Sequence, residues 1–268
     1  MAFRLLKPGE VQEPKGVLLT GQPNSGKTQS LVTFMATYPA KLAAYLCYPD
    51  EQGSSTFPSN HPNVAVRIAW DDVDPAKKIS YSALWDEIVS VTADVLVGKH
   101  GKVELFFGDG LHKLHAVSLG KVTGGISAMS LDFDAKLYSD AKKLTLGYIH
   151  MIQRAGSIYL PVFTVWEGRE KDNPDSLDKK PSRHIYPELP GQLAKEIIGE
   201  FGVVLYATRK GTGVEGAKYL WQTRPLDQVW GCGIKKPIEV SSKIEDFVPQ
   251  DWSLLAPKLG MVEAPDQK

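Results

Sequence analysis

The sequence predicts an α/β fold in three layers, with helices on both faces of a mostly parallel central sheet. Two observations lead to this prediction. Short apolar segments alternate with longer segments of helical periodicity along most of the 268 residues. One apolar segment is followed directly by a glycine-rich turn and then by a helix, an arrangement found in parallel sheets. Hydrophobic residues make up 43% of the chain, which is enough to cover a large sheet on both faces.

The predicted strands are apolar segments bounded by turn residues. They lie at 16–20, 41–48, 64–70, 103–108 and 159–165, followed by 203–206 and 218–223. The last two predict an antiparallel hairpin at the edge of the sheet. Helical spacing of apolar residues predicts helices at 29–37, 82–97, 136–155 and 189–201. Two long segments, 111–135 and 168–186, fit neither pattern and predict irregular functional loops or insertions.

The chain is expected to form one domain at 16–248, preceded by a polar lead-in at 1–15 and followed by a short tail at 249–268. The 31 basic and 31 acidic residues balance, so the net charge gives no argument for or against a nucleic-acid partner. The two cysteines suggest a reducing compartment rather than a disulfide. No apolar segment is long enough to span a membrane, and the N-terminus lacks a signal-peptide core, so we expect a cytoplasmic protein without a membrane partner.

The segment 21–28 reads Gly-Gln-Pro-Asn-Ser-Gly-Lys-Thr and fits the phosphate-binding pattern G-x-x-x-x-G-K-[ST] of P-loop proteins. Its glycines let successive backbone N–H groups point at one anion, and the following helix adds the partial positive charge of its N-terminus. We expect Lys27 to reach the β- and γ-phosphates of a nucleoside triphosphate and the Thr28 hydroxyl to bind Mg²⁺. The residues expected to bind the nucleotide are Gly21, Pro23, Asn24, Ser25, Gly26, Lys27, Thr28 and Gln29.

Acidic residues follow two of the predicted strands. Asp109 lies at the C-terminal tip of the apolar strand that begins at 103, a Walker B pattern in which the aspartate orients Mg²⁺. It is followed by Gly110, which disfavours the ATPases that carry their catalytic glutamate at that position. Glu51 follows the second predicted strand and could align a water molecule for attack on the γ-phosphate. Asp50 competes for this role, and both residues could instead be solvated turn acids.

Several segments, taken in order, resemble RecA-like P-loop ATPases of phages, including the Sak-type single-strand annealing proteins and related phage nucleotide-binding proteins. They are Leu-Thr-Gly-Gln-Pro-Asn-Ser-Gly-Lys-Thr, Pro-Asp-Glu-Gln-Gly, Phe-Phe-Gly-Asp-Gly-Leu, Phe-Thr-Val-Trp-Glu and the block from Pro187 to Tyr206. The resemblance spans about residues 16–240. It implies a three-layer RecA-like P-loop fold and a homo-oligomeric ring or filament that uses ATP and Mg²⁺. It also implies action on single-stranded DNA in phage recombination or annealing, in the cytoplasm of a bacterial host.

The resemblance also implies roles for individual residues. Glu51 would be the catalytic base. Lys235 and Lys236 match basic residues that reach the nucleotide of the neighbouring subunit, where they would act as an arginine finger does. A solvated lysine pair is the alternative, and 209–210 (Arg-Lys) is a second candidate pair. The tip of the fifth strand would sense the γ-phosphate, and this sequence has 166–167 (Trp-Glu) where the family often has glutamine or histidine.

The segment after the fifth predicted strand carries cations that could follow a phosphate backbone. These are Arg169, Lys171, Lys179, Lys180 and Arg183. Four acidic residues in the same segment offset their charge, so a solvated loop is the alternative. In RecA-like proteins the corresponding loop faces DNA. Two other functions stay open: a nucleotide-gated assembly or packaging factor without DNA-stimulated turnover, and a small-molecule kinase, for which the arginines are too scattered to form a lid.

Overall fold

The computed structural model describes residues 16–51, 55, 57–58, 61–70, 80–124, 135–169, 184–211, 217–226, 229, 231–236 and 238–261. The strands are β1 (Val17–Gly21), β2 (Ala43–Cys47), β3 (Val64–Ala69), β4 (Leu105–Asp109), β5 (Leu160–Arg169), β6 (Ile185–Pro187), β7 (Val203–Lys210), β8 (Lys218–Gln222), β9 (Gly233–Ile234) and β10 (Phe247–Pro249). The helices are α1 (Lys27–Thr37), α2 (Tyr81–Leu96), α3 (Leu111–Val122), α4 (Ala135–Arg154), α5 (Leu193–Glu200), α6 (Ile238–Ser241) and α7 (Trp252–Leu255).

The strands form one mixed sheet in the order β10-β8-β7-β1-β5-β4-β2-β3, with β6 added beside β5 and β9 beside β7. The strands from β7 to β3 in this order run parallel, and β8 and β10 add an antiparallel edge. The predicted fold class is therefore confirmed as an α/β fold with a mostly parallel sheet and an antiparallel edge. The predicted hairpin is the pair β7–β8, and β10 continues the sheet beyond it.

Apolar cores lie on both faces of the sheet. Alternate residues of a strand point to opposite faces, so Val17 and Leu19 join one core while Leu18 joins the other. The first core includes residues of α1 and α7, and the second includes residues of α2, α3, α4 and α5. Burial on both faces explains why β1 and β4 read as continuous apolar segments rather than as alternating ones.

The prediction that 111–135 is irregular is wrong for its first half, where α3 forms directly after β4. Leu111, Leu114 and Val117 are buried on one face of this helix, but polar residues between them obscure the apolar pattern. His115 accounts for part of that polarity, because its Nδ1 lies 2.9 Å from the Thr145 Oγ1 of α4 inside the core. The intervening histidine and serine are therefore helix–helix contacts rather than loop residues.

The C-terminal segment packs against α1. Trp252 stacks on Phe34 with a ring-centroid distance of 4.4 Å, and its indole N–H donates a hydrogen bond of 3.2 Å to the hydroxyl of Tyr38. That hydroxyl in turn donates to the carbonyl oxygen of Met261 at 2.8 Å.

The predicted domain limits at residues 15 and 248 stay predictions. Among the described residues, no helix has the length and apolar character that crossing a membrane requires.

Candidate nucleotide-binding site

The P-loop lies at the C-terminal edge of the parallel strands. β1 ends at Gly21, and α1 begins at Lys27 after a tight loop in which Gly26 occupies the helix N-cap. Gly21 has a φ of 147°, and a Cβ atom there would lie 2.4 Å from the carbonyl oxygen of Ala207. Only glycine fits this crossing, because β1 and β7 are paired at this point. The loop is therefore held close against the sheet, with the start of α1 behind it.

Lys27 is buried inside this loop. Its Nζ donates hydrogen bonds of 2.8 Å to the carbonyl oxygen of Gly21 and of 2.7 Å to that of Gln22. Burial lowers the pKa of Lys27 to about 8, and the negative charges of Asp109, Glu51 and Glu167 offset part of that effect. The pKa of this ammonium group is thus close to neutral pH. The group lies where the pattern predicts a cation for the phosphates.

Asp109 is held at the tip of β4 by hydroxyl groups from three other elements. Thr28 donates a hydrogen bond of 3.0 Å and Tyr45 one of 2.7 Å to its Oδ2, and the Thr164 hydroxyl donates to its Oδ1. Burial and the Asp109 charge raise the pKa of Tyr45, which keeps this phenol protonated as a donor. The buried carboxylate and the Thr28 hydroxyl are oxygen ligands of the type that Mg²⁺ prefers.

Glu51 lies in the turn that follows β2, and its side chain is 9% exposed. Its Oε2 lies 3.6 Å from the Nε2 of His112, a residue in the first turn of α3. Burial, aided by the charges of Lys113 and Lys27, lowers the pKa of His112 to about 3, so its imidazole is neutral at physiological pH. Asp50, the competing candidate, has a φ of 60° and is exposed. The Glu51 side chain is thus the more shielded of the two from bulk water.

A cleft of about 940 Å³ connects these groups. Its lining includes the carboxylates of Glu51 and Asp109, together with Tyr219 and Gln250 from the antiparallel edge of the sheet. The side-chain amide of Gln250 donates a hydrogen bond of 2.8 Å to the carbonyl oxygen of Ser25 and thereby ties the P-loop to the antiparallel edge of the sheet. The volume of the cleft is in the range of small-molecule sites, and its lining brings carboxylates, the P-loop and the exposed ring of Tyr219 together.

The tip of β5 lies beside the P-loop, and its role as a sensor of the γ-phosphate stays a prediction. Trp166 pairs with Gly21 in the sheet and lines the cleft, with its ring centroid 4.7 Å from that of His112. Glu167 accepts a hydrogen bond of 3.0 Å from the amide of Gln22 and another from the hydroxyl of Tyr206. These contacts couple the P-loop to both neighbouring strands.

The structure does not bring Lys235 and Lys236 to the cleft of their own chain. They follow β9, which pairs with the N-terminal end of β7, whereas the P-loop lies at the C-terminal end of the parallel strands. The Lys235 side chain donates to the carbonyl oxygen of Gly199. A role toward a neighbouring subunit stays a prediction.

The second candidate pair lies at the C-terminal end of β7. Arg209 lies over the ring of Tyr219 at 5.8 Å and lines a smaller cleft of about 580 Å³ beside the P-loop. Lys210 lies over the ring of Phe247 at 3.7 Å. These residues are therefore closer to the P-loop edge of the sheet than the lysines after β9 are.

The side chains of the cations predicted to contact DNA lie outside the described residues. Arg169 ends β5, but its side chain falls outside the described residues. The other four cations lie entirely outside the described residues: Lys171, Lys179, Lys180 and Arg183. Their role in nucleic-acid binding stays a prediction.

Comparisons with known proteins add little to this geometry. No family model matches the sequence, and no curated protein matches it. Among solved structures, the chain is similar to a prototypical ATPase from the type III secretion system of pathogenic bacteria, with 12% sequence identity and a TM-score of 0.43. The match covers 72% of this chain and 50% of that ATPase, so the chain spans about half of its length. At this TM-score, the similarity carries no argument about function.

Four residues of the site escape the sequence patterns. Tyr45 and Thr164 hold Asp109, Gln250 holds the P-loop, and Lys113 lines the cleft. A polar threonine in the apolar run of β5 is a weak signal of this kind. The contacts of Tyr45, Gln250 and Lys113 depend on strand register and on a helix that the sequence does not predict. No local sequence pattern therefore indicates them.

Proposed function

We propose that this protein binds ATP with Mg²⁺ and hydrolyses it. One observation carries this proposal: the buried carboxylate of Glu51 lines the same cleft as Lys27, Thr28 and Asp109. A P-loop alone fits a sensor or a transferase equally well. A carboxylate next to the expected γ-phosphate position adds a group that can activate water, which favours hydrolysis.

Each residue has a distinct role in the proposed reaction. The N–H groups of the P-loop and the ammonium group of Lys27 would bind the phosphates. The ion held by Thr28 and Asp109 would neutralise phosphate charge. Glu51 would accept a proton from water while the water oxygen forms a bond to the γ-phosphorus. The bond from that phosphorus to the β–γ bridging oxygen breaks, and its electron pair leaves with ADP.

The neutral imidazole of His112 supports this assignment of the base. A protonated histidine 3.6 Å from Glu51 would form an ion pair and make the carboxylate a weaker base. Because the pKa of His112 is lowered to about 3, this neighbour carries no charge at the pH at which hydrolysis would take place. It covers Glu51 without neutralising it.

The finer proposal is that the protein works as a homo-oligomer on single-stranded DNA, in phage recombination or annealing. Its support is the ordered resemblance of the P-loop, the Walker B strand and the block 187–206 to RecA-like phage ATPases. A nucleotide-gated assembly factor is the alternative. ATP turnover with and without single-stranded DNA at a stated salt concentration separates the two, because only the first predicts stimulation.

The experiment that tests hydrolysis compares two variants of neighbouring acids. Glu51→Gln is expected to bind Mg·ATP as the wild type does and to lose turnover by about 100-fold or more, because the base is gone while the shape is kept. Asp50→Asn, the matched control, is expected to keep turnover, and asparagine tolerates its positive φ. Normal turnover in Glu51→Gln would show that the base is assigned wrongly.

A further inference from the structure

We propose, on the basis of the proposed function, that Lys113 is a further catalytic residue. Its ammonium group would contact the γ-phosphate from α3, within the same chain as the P-loop. No pattern in the sequence marks this lysine, because α3 falls in a segment predicted to be irregular. Its position in the cleft is the observation that carries the inference.

Lys113 is placed by the same turn that places Asp109. β4 ends at Asp109, and the backbone N–H of Lys113 donates a hydrogen bond of 2.8 Å to the carbonyl oxygen of Gly110, which closes the first turn of α3. Its side chain lines the cleft together with Lys27 and Glu51. Among the described residues that line this cleft, Lys27 and Lys113 are the two cations.

The charge of Lys113 is held by an aromatic ring. Its Nζ lies 5.3 Å from the ring centroid of Trp166, and the described residues include no carboxylate within ion-pair distance of it. An indole attracts a cation without neutralising it. Trp166 in turn pairs with Gly21, the first residue of the P-loop. The ring therefore holds the ammonium group in the cleft that the P-loop lines, while leaving its charge available to a ligand.

Glu188 is the competing partner. Its backbone N–H donates a hydrogen bond of 2.7 Å to the carbonyl oxygen of Trp166, so its backbone lies next to that of Trp166. Burial raises the pKa of Glu188, and the charge of Lys113 offsets only part of that rise. If Lys113 formed an ion pair with Glu188, the charge of the lysine would keep that carboxyl ionised. The charge of Lys113 thus acts on Glu188, but the two side chains do not form an ion pair among the described residues.

The reaction gives this second cation a role. As the bond between the γ-phosphorus and the bridging oxygen breaks, negative charge grows on the phosphoryl oxygens and on the departing ADP. The proton of the attacking water goes to Glu51, and the electron pair of the broken bond leaves with ADP. Lys113 keeps its proton throughout and stabilises the growing charge by Coulomb attraction and hydrogen bonding.

The test compares two lysines of α3. Lys113→Met is expected to lower kcat by about 100-fold with little change in the KM for ATP, because the contact strengthens in the transition state. Lys113→Arg is expected to keep most of kcat. Lys121→Met removes the same charge from the other end of the helix, where Lys121 pairs with Asp86, and is expected to behave as the wild type does. Unfolding temperatures of all variants show whether a loss comes from misfolding.

A binding measurement adds a readout that does not need turnover. Lys113→Met should lose affinity for the complex of ADP with aluminium fluoride, which imitates the transferring phosphoryl group, while its affinity for ADP stays near that of the wild type. Equal losses for both ligands would overturn the catalytic role. Equal losses of kcat in Lys113→Met and Glu188→Gln would also overturn it, since they would show that a Lys113–Glu188 contact is what matters.

Failure of this inference can be told apart from failure of the proposed function. A wild-type protein that hydrolyses no ATP overturns the proposed function. A wild type that hydrolyses ATP and depends on Glu51, together with a Lys113→Met variant of normal kcat, overturns only the role of Lys113.

Discussion

The ammonium group of Lys27 donates a hydrogen bond of 2.8 Å to the carbonyl oxygen of Gly21, the residue that ends β1. The lysine that follows the loop thus closes back on the residue that begins it. Its second bond, to the carbonyl oxygen of Gln22, leaves the cation inside the curve of the P-loop. In the proposed function this cation binds the phosphates, so its protonation state should control their affinity.

The affinity for Mg·ATP is expected to fall as pH rises through the pKa of Lys27, which burial lowers to about 8. Only the protonated lysine attracts phosphates, so the dissociation constant should increase by about tenfold for each pH unit above that value. Titration of a fluorescent ATP analogue from about pH 7 to about pH 9.5 measures it. Lys27→Arg, which stays protonated, is the control and should show no such dependence. An affinity of the wild type that is constant over this range contradicts the assignment.

The lowered pKa of Lys27 should also affect the stability of the protein without nucleotide. The pKa of Lys27 is about 8 in the folded state, whereas an exposed lysine has an ordinary pKa of 10.5. Between these values the unfolded chain binds more protons than the folded one, so the free energy of unfolding gains a contribution that increases with pH. Chemical denaturation of wild type and Lys27→Met across this window isolates that contribution, which should be missing from the variant. An equal slope in both proteins argues against the lowered pKa.

Alanine substitutions of two glycines at the ends of α3 should distinguish a loss of ATP turnover from a loss of stability. Gly110 (φ 91°) and Gly124 (φ 67°) both need a left-handed backbone, so alanine at either site should cost about 1–2 kcal/mol of unfolding free energy. A Cβ atom on Gly110 would lie 2.9 Å from the Cγ of Glu51, whereas nothing lies within 4 Å of one on Gly124. Gly110→Ala is therefore expected to lose ATP turnover and Gly124→Ala to keep it. Equal turnover in the two variants, at a temperature where both are folded, is the contrary result.

Binding to single-stranded DNA is expected to depend steeply on salt if the segment after β5 contacts phosphates. Each contact should contribute about −0.7 to the slope of log affinity against log salt concentration. Replacing Lys179 and Lys180 by glutamine should therefore make the slope shallower by about 1.4. The matched control replaces the exposed Lys99 and Lys102 and should leave the slope as it is. Fluorescence anisotropy with a labelled oligonucleotide measures it, and equal slopes in the two double variants would remove this segment from the DNA surface.

The predicted role of Lys235 and Lys236 toward a neighbouring subunit can be tested by measuring ATPase activity at different protein concentrations. If these lysines act in trans, the specific ATPase activity of the wild type should rise as oligomers form, and replacing both by alanine should lower kcat by about 100-fold. Nucleotide binding by the dilute chain should not change, because Lys235 lies at the opposite end of the strands from the P-loop. Size measurement by light scattering, with and without ATP, accompanies the assay. A kcat that is independent of concentration and of both lysines rules the role out.

The sequence predicts the parts of the site that are local in the chain. The P-loop is contained in eight consecutive residues, and Asp109 ends an apolar strand, so both are recognisable without a structure. Tyr45 and Thr164 are different, because their contact with Asp109 depends on how β2, β4 and β5 align. Lys113 depends on α3, whose apolar face is interrupted by buried polar residues. Long-range register and buried polar contacts are what sequence periodicity does not contain.

The most direct measurement is a calorimetric titration of Mg·ATP into the wild type and into Lys27→Ala. We expect saturable binding at one site per chain in the wild type, and its loss in the variant at an unchanged unfolding temperature. Binding of Mg·ATP to Lys27→Ala with the affinity of the wild type, or no binding to the wild type, would contradict it.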